Sequence, residues 1–419
     1  MGAGDPLGEV VRRKPYQRGL VFCGVIGIPV SLAAFWFLAG LHELEHLLWQ
    51  AWPKSLGWDQ PPWWWPFPLL GVGGVVVAAV VTRLPGRGGH VPAQGLQPGG
   101  ASVAALPGVA LAAVASLPMG AVLGPEAPMI ALGGGLALLF RDLARAPATE
   151  QGNAVVGAAG SASAIAVIFG NPVVAAVLLM EVSGIGGPQL LAVMLPALLA
   201  SGVGAVLFTG FGHWTGLKTD SLDLGLPAPP LLDWGDVVWG ILLAAALGVL
   251  LNRVVLAGRF TARLVERRPF PVIVGCALAA AACGAVYAAA TGRSPADVML
   301  SGQAALGELG THPHAWSVGA LVAVLAFKGF AYAVCLGGLR GGPVFPALFL
   351  GGAAGVLLAP LPGFGLVPAM AAGMSAAVVS VLRLPVSSVI LVALLLGHPG
   401  SLPIVVLAVV VSLVTTELL

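Results

Sequence analysis

The sequence predicts an all-α polytopic membrane protein, built from two inverted-topology repeats with many short, tilted or broken helices. Its 419 residues are 58% hydrophobic and 9% charged, whereas a soluble domain carries roughly 25% charged residues. Long apolar runs recur from Leu20 to Leu419 without period-two alternation, which favours helices over a barrel. The runs are interrupted by 60 Gly and 34 Pro. One glycine- and proline-containing motif occurs twice, once in each half of the chain.

The first half begins with a short polar arm, 1–14, followed by a first membrane repeat, 15–217. A long helix is expected from Tyr16 to Trp49. Tryptophans and prolines in 52–66 predict an interfacial loop, because Trp favours the headgroup level of a bilayer. A second helix, Phe67 to Val81, precedes a Gly-rich break. Further apolar segments are predicted near 101–122, 125–140, 153–169, 172–183 and 188–209.

A polar, Pro-rich connecting loop, 218–233, separates the first repeat from a second membrane repeat, 234–419. Apolar segments in this half are predicted near 234–257, 270–290, 316–335, 343–359, 365–382, 385–397 and 401–418. The last run reaches the final residue, so no soluble C-terminal regulatory domain is expected.

Basic residues predict the orientation in the membrane. They cluster before the first apolar run, after the first copy of the motif, and in 259–268. By the positive-inside rule these places, and therefore the N-terminus, are expected to be cytoplasmic in a multi-pass plasma-membrane protein. No cleaved signal peptide is expected. The four cysteines lack metal-like spacing and the net charge is only +2, so no cofactor, metal or nucleic-acid partner is predicted.

The repeated motif is the strongest feature of the sequence. Gly124–Gly134 and Gly342–Gly352 share six of eleven positions, and each opens an apolar run with a Gly-Pro pair. A proline so placed predicts a helix start with Pro at the first helical position. The halves also match further on: Gly160 lies twelve residues before Pro172, as Gly373 does before Pro385. Such repeats predict an ion site near the midplane, between the starts of broken helices.

The chemistry of two opposed helix starts favours a small anion. A helix start carries unpaired N–H groups and about half a positive charge. The expected anion pocket lies between Gly124 and Gly342, with N–H donors from Glu126, Ala127, Val344 and Phe345. Pro125 and Pro343 cannot donate. Backbone donors bind an ion weakly enough to release it.

Glu126 is the charged residue in this motif, and the second copy has none. An ionisable residue in an apolar run is a functional candidate. Its carboxylate can occupy the same donors when the anion leaves, and can swing away when protonated. Glu126 is therefore a candidate gate and proton carrier, with a helix cap as the alternative.

These motifs resemble those of the CLC chloride channel and transporter family. The stretch 124–134 is similar to the family's GREGP…GG motif, 341–351 to its GGxFxP motif, and 170–181 to the segment ending a first-half helix. The resemblance implies a homodimer with one anion pathway per subunit, embedded in lipid. It makes Glu126 the external gating glutamate, and Lys328 stands where the family keeps a basic residue.

Several positions depart from the family pattern. The family's GSGIP stretch corresponds at best to 88–92, so that the anion-binding serine becomes Gly89, with His90 as a candidate substitute or a solvated loop residue. The inner proton-transfer glutamate aligns with Val182. Glu181 beside it is either a proton relay or half of a helix-end salt bridge. The family's pore tyrosine has no counterpart, so the central anion site is expected to be weaker or more open.

Three transport functions fit these residues: proton-coupled chloride exchange, a passive chloride channel, and a relative selective for another anion such as fluoride. All three are non-enzymatic. A remote alternative is an intramembrane zinc protease, because His42-Glu43-Leu44-Glu45-His46 matches HExxH. Two histidines at i and i+4 share a helix face. No third ligand stands out, however, and the motif is predicted to lie at the outer membrane edge.

Overall fold

The computed structural model describes residues 8, 11–97, 100–146, 149–184, 188–215, 224–227 and 232–419. Over these residues the secondary structure is helical, apart from an isolated antiparallel bridge between Gly124 and Gly342. Eight of the described helices are long and apolar enough to cross a membrane, and several shorter apolar helices lie among them. The predicted arm, 1–14, and connecting loop, 218–233, fall largely outside the described residues.

The described part of the first half contains seven main helices. They are α1 Lys14–His46, α2 Pro66–Arg83, α3 Leu106–Ser116, α4 Glu126–Leu143, α5 Glu150–Phe169, α6 Pro172–Ser183 and α7 Pro188–Thr215. Proline occupies the first or second helical position of α1, α2 and α6, among others, and a glycine in the left-handed conformation follows α5 and α6. A five-residue π-helix, Leu47–Ala51, and the short helix Trp52–Ser55 prolong α1 into the tryptophan-rich region that was predicted to be a loop.

The described part of the second half contains eight main helices. They are α8 Trp234–Arg267, α9 Pro269–Thr291, α10 Gln303–Thr311, α11 Val318–Gly338, α12 Val344–Leu358, α13 Leu366–Leu382, α14 Pro385–Leu396 and α15 Leu402–Glu417. The sequence did not predict α10, which is short and partly polar. Helix α8 continues ten residues beyond the predicted end, because its basic last turns extend past the apolar segment.

The repeat predicted from the motif is present in the packing. In the first half, α4 packs on α5, α5 packs on α7, and α1 packs on α5 and α7. In the second half, α12 packs on α13, α13 packs on α15, and α8 packs on α13 and α15. Where α4 crosses α5, the backbones approach closely at Gly133 and Gly160. Where α12 crosses α13, they approach closely at Gly351 and Gly373. A Cβ atom on any of these four glycines would overlap the partner's backbone.

The two repeats are inverted. Helices α4 and α12 begin at the same point and meet head to head, where Gly124 and Gly342 form their antiparallel bridge. Each helix begins one residue after its proline, so that Pro125 and Pro343 occupy the N-cap position and not the first helical position as predicted. Boundaries of this kind vary by a residue or two. The fold thus places two helix starts face to face inside the protein.

Candidate functional site: the meeting of two helix starts

Reciprocal backbone hydrogen bonds join the two motif copies. The Gly124 N–H donates to the Gly342 carbonyl at 2.7 Å, and the Gly342 N–H donates to the Gly124 carbonyl at 2.5 Å. Both glycines are buried. The bridge fixes the first turn of α4 against the first turn of α12, which the sequence motif had predicted to face each other.

Glu126 extends from the first turn of α4 to the first turn of α12. Its side chain is buried, with 1% exposure. Oε1 accepts a hydrogen bond from the Phe345 N–H at 3.1 Å, and the Val344 N–H also faces the carboxylate. Oε2 is buried and has no hydrogen-bond partner among the described residues. The carboxylate thus occupies the donors of the opposite helix, and not those of its own helix alone.

The absence of side chains at Gly124 and Gly342 makes room for this carboxylate. A Cβ atom at either position would overlap the carboxylate oxygens of Glu126. The glycines of the motif therefore have a second role besides forming the bridge. They leave a space at the helix starts that is the size of a carboxylate group.

Three aromatic residues lie beside the two helix starts. Phe345 stacks on Phe169, with ring centroids 6.0 Å apart. The hydroxyl of buried Tyr332 donates to the Pro343 carbonyl at 2.6 Å, directly before α12. Sequence reasoning missed Tyr332. The only signal available was a hydroxyl-bearing residue in an apolar run, one helical turn after Lys328.

The structure places Lys328 away from the carboxylate. Its fully buried Nζ lies 3.1 to 3.3 Å from four consecutive carbonyl oxygens, from Asp297 to Leu300, which share its three N–H donors. It also lies 4.7 Å from the ring centroid of Phe349. Lys328 therefore secures the irregular segment before α10, where Leu300 adopts a left-handed φ of 67°. The ammonium group is enclosed, so Lys328 does not extend to the membrane interface.

Gly89 and His90 lie next to the helix starts, in a loop between α2 and α3. Together with Ala127, Arg340 and Gly341 they line a small cavity of about 10 Å³. The Gly89 N–H is occupied, because it donates to the Gly86 carbonyl at 2.9 Å. Within the described ranges, Nε2 of His90 is buried without a hydrogen-bond partner. Burial, and secondarily the nearby guanidinium of Arg340, lower the pKa of His90 to about 4, so the imidazole is neutral at pH 7.

Glu181 is not part of this meeting point. Its two carboxylate oxygens accept hydrogen bonds from the N–H groups of Val386, at 2.9 Å, and Ser387, at 2.7 Å. It therefore caps the start of α14, which belongs to the other repeat. Of the two alternatives for Glu181, the helix-end salt bridge is not found among the described residues, where the carboxylate forms this cap instead, and the proton relay stays a prediction.

The HExxH motif borders a separate, larger cavity of about 840 Å³. His42, Glu43 and His46 line it, together with residues of the 294–308 region. Across the described ranges, no three His, Cys, Asp or Glu side chains are grouped so that they could hold a metal ion. The zinc interpretation therefore gains no third ligand from the fold.

The fold and the site define a class: an inverted-repeat helical membrane protein with a carboxylate held between two opposed helix starts. A family model for the voltage gated chloride channel matches residues 73–417. The chain belongs to this family, the one that its motifs resemble.

Two curated relatives match part of this sequence. The putative ion-transport protein YfeO of Salmonella newport (strain SL254) is 30% identical over 193 residues, which are 45% of this chain and 46% of that protein. The protein of the same name from Salmonella typhimurium matches with the same identity and coverage. The match therefore spans about half the length of these relatives.

Solved structures show the same fold over almost the whole chain. A slow cyanobacterial Cl−/H+ antiporter aligns with a TM-score of 0.76 and 16% identity, covering 96% of this chain and 94% of that one. A CLC-type fluoride/proton antiporter aligns at 0.73 and 19%, covering 96% of both chains. A eukaryotic CLC transporter aligns at 0.68 and 17%, covering 96% and 72%.

Proposed function

We propose that the protein carries a small monovalent anion, chloride or a similar ion, across the membrane, with Glu126 as gate and proton carrier. The observation that carries this proposal is the position of the Glu126 carboxylate on the first-turn amides of α12. An anion and a carboxylate compete for such donors, because both are attracted to the positive end of a helix. Anion entry then requires the carboxylate to leave.

In this proposal, protonation of Glu126 couples proton movement to anion movement. A neutral carboxylic acid loses its attraction to the amides and releases them to the anion, whereas an ionised one displaces the anion. Gly124, Glu126 and Ala127 on one side, and Gly342, Val344 and Phe345 on the other, form the anion-binding frame in this proposal. Gly124 and Gly342 use their own N–H groups in the bridge and so hold the frame together, while the donors left for the ion are those of the first turns of α4 and α12. Because the bridge fixes these turns, little rearrangement is needed when the ion arrives.

The alternative within transport is a passive channel or a fluoride-selective relative. It is supported by Gly89, which lacks the hydroxyl that the family uses, and by Val182, which cannot carry a proton. Glu181 is a weaker candidate for the inner relay, because both of its oxygens already cap α14. The fluoride/proton antiporter among the structural neighbours keeps fluoride among the ions to be tested.

The test is ion flux from chloride-loaded liposomes with simultaneous recording of external pH. Chloride efflux driving proton movement against its gradient indicates exchange, and efflux without proton movement indicates a channel. Repeating the assay with fluoride, nitrate and bromide gives the selectivity. Absence of flux for every anion would overturn the proposal.

The remaining assignments have their own tests. We infer a homodimer in the plasma membrane with one pathway per subunit, the N-terminus in the cytoplasm, and no enzymatic activity. Light scattering of the detergent-solubilised protein gives the subunit number. Labelling of single cysteines introduced near Arg18 and Trp64 reports their side of the membrane. Metal analysis of the purified protein tests the zinc alternative at His42 and His46.

A further inference from the structure

The last part of α8 carries an exposed stripe of arginines and apolar side chains. Its members are all exposed, and they are Arg253, Leu256, Phe260, Arg263, Leu264 and Arg267. Successive residues of an α-helix lie about 100° apart around the helix axis, so these six fall within an arc of about 100°. This α8 stripe is therefore a single face of the helix, turned away from the rest of the protein.

The α8 stripe is basic, and its charges have no acidic partner. Arg268, directly after the helix, is exposed as well. Among the residues that the structure describes, neither Arg268 nor the three arginines of the stripe form an ion pair. The stretch 253–268 contains a single acidic residue, Glu266. It lies about 100° around the helix from Arg267, outside the stripe. The stripe thus favours a negatively charged partner.

The length of α8 brings the stripe to the level of the lipid headgroups. The helix begins at the exposed Trp234, and Trp favours the headgroup level of a bilayer. A hydrocarbon layer about 30 Å thick corresponds to about 20 helical residues, so it ends close to Arg253. The remainder of the stripe then lies among the headgroups. Phe260, which is 59% exposed, and its apolar neighbours can there meet acyl chains, whereas a water-soluble polyanion would leave them uncovered.

The opposite side of α8 holds the stripe in place. Gly258 packs so closely that a Cβ atom would lie 2.9 Å from the Leu336 Cβ of α11. Nε of Arg259, beside the stripe, donates to the Ala93 carbonyl at 3.3 Å, in the short turn Pro92–Gln94. The backbone that carries the stripe is therefore fixed before any partner binds.

We propose that the α8 stripe binds an anionic phospholipid of the leaflet in which α8 ends. Arg263 and Arg267 lie one helical turn apart, close enough to reach the same phosphate group. The planar guanidinium group matches the geometry of phosphate oxygens. Phe260 and Leu264 cover the first part of the acyl chains. This lipid site is separate from the anion pathway, and its existence does not depend on which ion the protein carries.

The first test measures lipid binding to the purified full chain by native mass spectrometry, with phosphatidylglycerol as the anionic lipid and phosphatidylcholine as the zwitterionic one. The variant Arg263→Gln/Arg267→Gln removes two charges of the stripe. The matched control, Arg12→Gln/Arg13→Gln, removes two exposed charges at the start of α1. All four side chains are exposed, so both variants should fold, and their melting temperatures check this.

The expected effect follows from the charges removed. One arginine near an anionic lipid surface strengthens binding roughly fivefold. We therefore expect the stripe variant to bind phosphatidylglycerol at least tenfold more weakly than the wild type, and the control less than threefold more weakly. Binding of phosphatidylcholine should change less than twofold in both. A wild type without preference for phosphatidylglycerol, or equal weakening in the two variants, overturns the proposal.

The second test uses the wild-type protein and distinguishes a lipid from a free phosphate compound. Glycerophosphoglycerol, the headgroup of phosphatidylglycerol without acyl chains, is added in tenfold molar excess over the bound lipid. We expect it to displace less than half of the lipid, because it cannot cover Phe260 and Leu264. Displacement of more than half indicates a site for soluble phosphate compounds and overturns the lipid as occupant.

Discussion

Replacing Glu126 by glutamine removes the negative charge that lies on the first-turn amides of α12, while it keeps the length of the side chain. In the wild type, Oε1 accepts from Phe345 at 3.1 Å, and the carboxylate is almost fully enclosed. Glutamine can keep this hydrogen bond through its carbonyl oxygen. It cannot ionise, so the site can no longer alternate between a charged and a neutral occupant.

The expected change in anion affinity follows from the hydrogen bond that the Phe345 N–H donates, which goes to a charged oxygen in the wild type and to a neutral one in the variant. A bond to a charged group contributes about 1.5–3 kcal/mol, and a neutral one about 0.5–1.5 kcal/mol. Glutamine is therefore a weaker competitor for the amides by about 1–1.5 kcal/mol, which corresponds to roughly 5- to 13-fold tighter apparent anion binding. Proton movement coupled to chloride should disappear, and the pH dependence of flux should flatten.

The assay is chloride flux with pH recording in liposomes, combined with chloride titration of the purified protein. Glu266→Gln is the matched control, because it removes one exposed carboxylate at the end of α8, far along the chain from the motif. It should behave as the wild type. The reasoning is refuted if Glu126→Gln keeps wild-type proton coupling and pH dependence, or if both variants change alike.

Three further substitutions test neighbouring contacts. Gly342→Ala places a Cβ where the carboxylate lies, so we expect flux that has lost its pH dependence even though Glu126 is still present; a flux–pH curve like that of the wild type would contradict the assigned space. Tyr332→Phe leaves the buried Pro343 carbonyl without its donor, which should cost about 1 kcal/mol and lower the melting temperature, with several-fold slower flux in liposomes. Glu181→Gln weakens the half-exposed cap of α14, so we expect a melting temperature lower by a few degrees but unchanged proton coupling; lost coupling would identify Glu181 as a relay.

The sequence predicted the two opposed helix starts better than the side-chain contacts and the short helix around them. The repeated Gly-Pro motif carries its own local signal for a helix start, and its duplication implies a pair. The contacts of Lys328 and Arg340 carry no such signal, because their partners are backbone carbonyls at distant positions: Arg340 meets Arg87 across 253 residues. Helix α10 was missed for a related reason. It has nine residues, too few to show a clear apolar period.

Comparison of the two acidic residues gives a physical reason for proposing Glu126, and not Glu181, as the gate. Glu126 and Glu181 both accept hydrogen bonds from the first turn of a helix in the opposite repeat. Glu181 uses both oxygens and is half-buried, as expected of a static helix cap. Glu126 leaves one buried oxygen without a partner among the described residues, between two glycines that offer no replacement contact. A carboxylate so incompletely satisfied is held by charge more than by hydrogen bonds. In our proposal, neutralising it, or offering its amides another anion, is therefore expected to release it.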